Sequence, residues 1–594
     1  MTNKRPHDRV VLAIAAIAVL VAMPVIGQQS AAPPEVPASE TDTPPPKSLL
    51  PESFNTAVTQ PPQSADPTTE PSPAGPGQAA PIPPSAMTIG GADPFALAVA
   101  TGRDITVFGP LTVAAGGYGP DTFAGSRGVF LAGLARRIDA PIGSRWAAIT
   151  LRRALLSESA APYGIVPGDW IAARAWLLLR MGEIDGAKAL TDAVPIDRYS
   201  PALYRIAGQT ALAGADIGGL CPIAVTGQLL SADPLWKLAV GMCAAVQGDD
   251  ITAARVFDAL RTDEKSVDPF DVRLGERVAT IAGGAGRATN IDWSEAPAMT
   301  LYRFGIGTAA GVAIPADRLA ALGPARFGWL VRAAGVAPEI RLAALRPATV
   351  LGTMSAAELA SGIAALSPGD AAETTPAGRL RTAFVGSVGD RRNALKAIWA
   401  TGGAGDGRYG ALLESASAAA RLPVSAASAD ASADIIAALL AAGAIDQAQR
   451  WWPVADKADG KVRAAAWALL ATGSGNLPVT AALFKDWRST SGADERRAAM
   501  LLAALAGLGT ANGNDWSGLR ADLLPSAATR WSRAIDAAGA AQRTGEVTIL
   551  AATGLQGAWA DVPPLHLYHI VAALVRTGRP QEARLIAAEA LTRT

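Results

Sequence analysis

The chain has 594 residues, half of them hydrophobic and only 5% aromatic, with 52 basic and 52 acidic side chains that leave a formal net charge of zero. That length exceeds what one compact core holds, so several domains or one elongated array are expected. With no basic excess to neutralise phosphates, nucleic acid is not an expected partner, and no polybasic patch marks anionic lipid.

Lys4, Arg5 and Arg9 precede an uncharged apolar run from Val10 to about Gly27, the layout of an export signal. Val25-Ile26-Gly27 offers a cleavage site. The run is long for a signal and short for a spanning helix of ~20 residues, and Pro24 weakens the anchor reading. Residues 1–30 are therefore read as a cleaved signal peptide or as a single-helix membrane anchor. Either way the remainder is expected in the periplasm, soluble or tethered to the inner membrane. No cysteine follows the run, so a lipoprotein is not expected.

Residues 31–92 follow, with 16 prolines between 31 and 90 among Ser, Thr, Ala and Glu. Such a segment has no packed core and favours polyproline II, so a disordered Pro-rich linker is expected. Fully extended, it reaches on the order of 180 Å. Its apolar island, Ser48-Leu49-Leu50-Pro51-Glu52-Ser53-Phe54, is a candidate docking segment within a plain spacer. In residues 93–130, Ile105-Thr106-Val107-Phe108 and Gly116-Gly117-Tyr118-Gly119 predict a short extended or looped cap over the first helices.

Residues 131–295 and 431–594 share a period. Glycine recurs at 182, 214, 248 and 283, then at 443, 475, 509, 545 and 578, with gaps of 32 to 36 residues. Five residues after seven of these stands a small residue: Ala187, Gly219, Ala253, Ala288, Ala448, Thr480 and Ala583. The last unit shows the physics. Leu567, Ile570, Val571 and Leu574 form one apolar stripe, and Ala583, Ile586, Ala587, Ala590 and Leu591 form another beyond Gly578. The glycine ends the first helix in a left-handed conformation, and the small residue lets the second helix approach it. One hairpin cannot bury both stripes, so neighbours must stack. The predicted fold is all-α, a helical-hairpin solenoid.

Gly182-Glu183-Ile184-Asp185-Gly186-Ala187, Gly248 to Ala253 and Gly578 to Ala583 resemble the core of the tetratricopeptide repeat, in which an alanine five residues after the turn glycine packs between paired helices. Phe257 and Trp452 stand at the later aromatic position, Ala455 and Ala590 at the following small one, and Gly241 at the small position of the first helix. Ala175, Ile436 and Val571 depart from the glycine common there, and the usual closing proline is missing. The array is thus a degenerate one, covering about 165–295 and 430–594. Residues 296–430 are helical in pattern but irregular in period, with Ser355-Ala356-Ala357-Glu358 reading as a capping box.

Candidate chemistry is sparse. Cys221 and Cys243 are the two cysteines, and each lies 11 residues from Ala232 at an inferred turn. In an exported protein that symmetry predicts a disulfide, with two buried thiols as the alternative and redox or metal chemistry a distant third. His566 and His569 sit one helical turn apart, but two histidines make an incomplete zinc set, and His7 is remote in sequence. Gly405-Asp406-Gly407-Arg408-Tyr409-Gly410 fits a dinucleotide string, yet a helix rather than a strand is predicted before it, so a flexible interhelical loop is expected. The 14 tryptophans, Trp176, Trp236, Trp451, Trp467 and Trp531 among them, read as interhelical packing, some lining a binding face. No catalytic, cofactor or metal residue emerges.

The expected function is a non-catalytic, exported scaffold that holds a protein partner in the cell envelope. In layout it resembles the proline-linked helical-repeat proteins of Gram-negative envelopes. The alternative is an envelope enzyme acting on peptidoglycan, as lytic transglycosylases do with a superhelix and an appended lysozyme-like domain. The repeats run almost to Thr594, so no room for that domain is expected. An ice- or surface-binding role needs regular threonine spacing, and the threonines here are scattered.

Overall fold

A computed structural model describes residues 104–594, apart from 139–141, 264–266, 284–289, 368 and 370–371. The expected signal or anchor, the expected Pro-rich linker with its Ser48–Phe54 island, His7 and Ala288 lie outside the described residues. The described chain is all-α apart from two two-residue strands, Val107–Phe108 and Ser159–Ala160, paired antiparallel. The short extended segment expected near Ile105 is that first strand.

The recurring glycines mostly do what their spacing predicts. Gly182, Gly248, Gly443, Gly475, Gly509 and Gly578 all have positive φ, from 75° to 87°, where a Cβ is strained. Gly248 turns the chain between helices Pro234–Val246 and Asp250–Thr262, and Gly578 between Pro564–Arg576 and Pro580–Arg593. Beside Gly214 the left-handed residue is instead Ala215, and ahead of Gly545, which lies inside helix Thr544–Gly554, it is Gln542. Gly283 is the last residue of helix Pro269–Gly283.

The small-residue rule holds at four positions. Ala187, Ala253, Ala448 and Ala583 are all buried on the second helix of their pair. Gly219 instead lies in a 3-10 turn, and Thr480 is a helix cap whose side chain accepts from the Leu483 N–H. Both are short polar or flexible positions that a spacing rule alone cannot tell from packing alanines. The capping box at Ser355 is formed in full.

Several periodic glycines have a second cause, which is cover. The turn at Gly182 lies under helix Arg326–Arg332, where a Cβ on Gly328 would collide with the Gly182 carbonyl. The Trp329 indole N–H donates to the Leu179 carbonyl at 3.1 Å, beside the same turn. Trp146 covers Gly443, and Phe123 lies against Gly545. Irregular residues 301–335 thus pack back over the turns of the first block. Helix Leu301–Ala309 approaches Pro201–Ala213 so closely that Gly305 faces the Leu212 carbonyl.

The last helix, Pro580–Arg593, is buried on nearly every side, from Glu582 to Leu591. An Ala-rich helix of this kind serves as a core element rather than an end. It touches Pro564–Arg576, Glu495–Gly507, Gly460–Gly473, Ser432–Ala441, Gly405–Ala419 and Arg145–Leu156. Nearest-neighbour contact, the expectation for a simple array, therefore fails at this helix. Early residues also meet late ones. The Tyr118 hydroxyl donates to Glu582 (3.3 Å), the Ser126 hydroxyl to Glu546 (2.8 Å), and the Gly545 N–H to the Thr122 carbonyl (2.7 Å). Residues 104–127 consequently bridge the first helices and the last ones, where a cover over the first alone was expected.

Arg174 fastens that bridge from the other side. It is almost fully buried and donates to the carbonyls of Phe108 (2.8 Å), Leu155 (2.5 Å) and Ser157 (2.8 Å). Two of these belong to the C-terminal end of helix Arg145–Leu156, whose dipole favours a cation. Burial lowers the guanidinium pKa to about 9.

Candidate functional site

The two cysteines come together. Cys221 opens helix Cys221–Leu230, Ser231 to Asp233 make the turn, and Asp233 caps helix Pro234–Val246 by accepting from the Leu235 N–H at 3.0 Å. The sulfurs of Cys221 and Cys243 stand at bonding distance, with Cα atoms 5.3 Å apart. The turn expected at Ala232 is the one that levels them.

His566 and His569 share a face of helix Pro564–Arg576, packed on Trp531 with ring centroids 4.2 and 6.3 Å away. His566 Nδ1 meets the Gly554 carbonyl at 3.2 Å, and His569 Nδ1 meets Asp536 at 3.0 Å. Burial pushes the His566 pKa down, with the Gly554 contact acting against it and His569 adding to it. Among the described residues no group of three or more His, Cys, Asp or Glu is placed to hold a metal.

The Gly405–Gly410 string departs from its expectation. It forms the first turns of helix Gly405–Ala419 rather than a loop, following helix Val388–Ala400 and a short turn. Gly402 and Gly407 approach backbone to backbone too closely for any Cβ, so these glycines serve a tight helix entry. A helix stands before the string, as expected, and the strand that a dinucleotide site needs is not there.

Of the tryptophans singled out, Trp236, Trp451 and Trp467 are buried, whereas Trp176 and Trp531 are only half-buried. Trp236 is seated by glycines on two neighbouring helices, Gly208 and Gly227, each too close to the indole for a Cβ. Phe257 is seated likewise by Gly275, and Gly241 packs tightly against the same ring. Gly241 was legible from its repeat position; the other three carry no spacing signal.

Trp176 differs because it lines an open groove of about 420 Å³ between helices Gly128–Arg137, Pro167–Arg180 and Pro201–Ala213. Ala132, Ala172 and Ile206 contribute to its lining. Exposed Arg136 and Arg205 also line it, with Asp169 the acid among them, and the Arg180 guanidinium stacks 5.0 Å from the Trp176 ring. Val129 at this groove is 70% exposed, and neighbouring Phe130 and Val166 are 42% and 64% exposed. Apolar side chains left in water this close together are a mark of interaction surfaces.

The Ser126–Glu546 and Ser144–Glu589 pairs are sealed between chain segments, with no histidine in either contact. They join parts of the fold rather than line a cleft. Among the described residues no helix is long and apolar enough to cross a membrane. The chain matches no family model, no curated protein and no solved structure.

Proposed function

We propose that this chain is an exported helical-repeat scaffold, tetratricopeptide-like in its hairpins, that holds a protein partner in the bacterial cell envelope without catalysing a reaction. The solenoid reading is supported by the left-handed glycines and the four buried alanines five residues beyond them. The Lys4-Arg5 flank and the apolar run to Gly27 support export, with the N-terminus cleaved or retained as a single-helix anchor.

The observation that carries the interaction role is the groove at Trp176. An indole and exposed aliphatic groups edged by Arg136 and Arg205 suit an amphipathic segment whose apolar face is flanked by acidic residues. The test is a photo-cross-linker at Val129 in envelope fractions. One dominant protein adduct, lost in Trp176→Ala combined with Arg205→Glu, is the expected result. Retention on peptidoglycan with release of soluble fragments would sink the scaffold reading in favour of the enzyme.

A further inference from the structure

A second cleft, of about 480 Å³, lies where the start of helix Gly405–Ala419 meets helices Ser432–Ala441, Gly460–Gly473, Glu495–Gly507 and the end of Pro580–Arg593. Three arginines line it, Arg408, Arg497 and Arg593, with Asp434 the acidic side chain among them. Their commitments differ. Arg408 pairs with Asp434. Arg593 is held by Glu589 (2.6 Å), Asp406 (2.5 Å) and the Gly143 carbonyl (2.7 Å); its side chain is only 4% exposed and its Nε is buried without an acceptor.

Arg497 has no such commitment. It is half-buried, its Nε is sealed from water without a partner, and among the described residues its guanidinium forms no ion pair. Burial pushes its pKa down, Asp494 acts against that, and Arg408 adds to it by like-charge repulsion. Asp494 is otherwise occupied, because its carboxylate caps the Arg497 backbone N–H at 2.7 Å. A cation taken partly out of water beside a second cation is costly unless an anion joins it.

The cleft has other features that suit an anion. Helix Gly405–Ala419 has no side-chain cap at Ala404, and both Ala404 and Gly405 border the cleft; the acid of its first turn, Asp406, is engaged by Arg593, so its backbone N–H end faces the same space. Ala437, Leu469 and Leu591 form an apolar wall in the same cleft. We infer that this cleft binds a small organic anion, a carboxylate or phosphate group carried on an apolar body, with Arg497 meeting the charge and the alanine-leucine wall meeting the body. This cleft shares no lining residue with the groove at Trp176, so ligand binding here is independent of a partner there.

Calorimetric titration of the full chain with phenyl phosphate, benzoate, inorganic phosphate and benzyl alcohol tests it. Saturable binding of phenyl phosphate or benzoate, weakened by salt, is expected, with benzyl alcohol inert. Loss of a charged hydrogen-bond partner in Arg497→Gln should weaken that binding roughly tenfold or more, and Arg497→Lys should retain part of it. Absence of saturable binding of every anion at millimolar concentration overturns the inference. So does inorganic phosphate binding as tightly as phenyl phosphate, since the wall would then play no part. Ligand-free Arg497→Gln should melt at or above the wild-type temperature. A lower value would give the cation a role in holding the fold and would overturn the site.

Discussion

Glu589 accepts the backbone N–H of Arg145 at 2.8 Å, so a carboxylate 444 positions away caps helix Arg145–Leu156. It also accepts from the Trp146 N–H at 3.0 Å and the Ser144 hydroxyl at 2.6 Å, while Arg593 balances its charge one turn later in the same helix. The first turn of a helix has orphan donors and a positive end, and Glu589 satisfies both. The side chain of Arg145 extends the junction inward, donating to the carbonyls of Thr349 and Met354. Early, middle and late parts of the chain therefore meet at one buried polar cluster.

Removing one partner from this cluster leaves the others buried and uncompensated. Glu589→Ala is expected to destabilise the protein by about 3–5 kcal/mol, far beyond an exposed ion pair. Urea denaturation measures it. A double-mutant cycle with Ser144→Ala should show coupling between the two, because they share a hydrogen bond. A loss below about 1 kcal/mol would mean that the cap is replaced by water and that the junction is loose.

Much of this fold is readable in the sequence and some is not, for identifiable reasons. The turn glycines are legible because φ near 80° excludes most side chains, and Ala253 and Ala583 because a fixed offset from the turn places them between helices. The capping box at Ser355 is a local pattern with a local cause. Glu589 over Arg145 has no local cause at all. Its partner is chosen by how the late helices pack on the early ones, and an Ala-rich helix carries the same stripes whether it ends an array or fills a core. The cleft at Arg497 is hidden likewise, since it forms only where the successive helices after Gly403 meet the end of helix Pro580–Arg593. The Gly405–Gly410 string misleads in the opposite sense, because glycines needed for a tight helix entry look like those of a loop.

Acid should loosen the C-terminal helices. Burial holds the folded pKa of His566 below its ordinary 6.5, so the neutral ring is the form the fold favours. That contribution is complete above 6.5 and is lost as pH falls through the lower folded value. The melting temperature is expected to drop on acidification below 6.5, and His566→Gln should flatten that part of the profile. His569, Asp536 and Arg576 lie in the same cluster and remain in both proteins, so the difference between the two profiles isolates His566. Identical profiles would remove His566 as the cause.

The cysteine pair should be oxidised in protein recovered from the periplasm. Non-reduced digests are expected to yield a linked peptide containing Cys221 and Cys243. Closing a loop of 22 residues is worth about 3 kcal/mol in the chain-entropy model, so the Cys221→Ser, Cys243→Ser double variant should lose stability on that order. Recovery of both as alkylatable thiols would defeat the prediction.

Ala253 and Ala583 occupy equivalent repeat positions in very different surroundings, and the same substitution should expose the contrast. Each is buried where paired helices approach, so leucine at either site overpacks the pair at a cost of typically about 1–3 kcal/mol. Helix Asp250–Thr262 packs chiefly on Pro234–Val246 and Pro269–Gly283. Ala253→Leu should therefore raise hydrogen exchange within those helices alone. Helix Pro580–Arg593 instead packs on Arg145–Leu156 as well as on its own hairpin, and Glu582 beside Ala583 accepts the Tyr118 hydroxyl. Displacing it should loosen residues 118–127 and the start of helix Arg145–Leu156 together with the C-terminal pair. Protection lost only near the substituted hairpin in both variants would show that the last helix behaves as an ordinary repeat end. Unchanged protection beside both alanines would mean that the glycine-to-alanine offset does not set the interhelical approach, and the tetratricopeptide-like reading would fall with it.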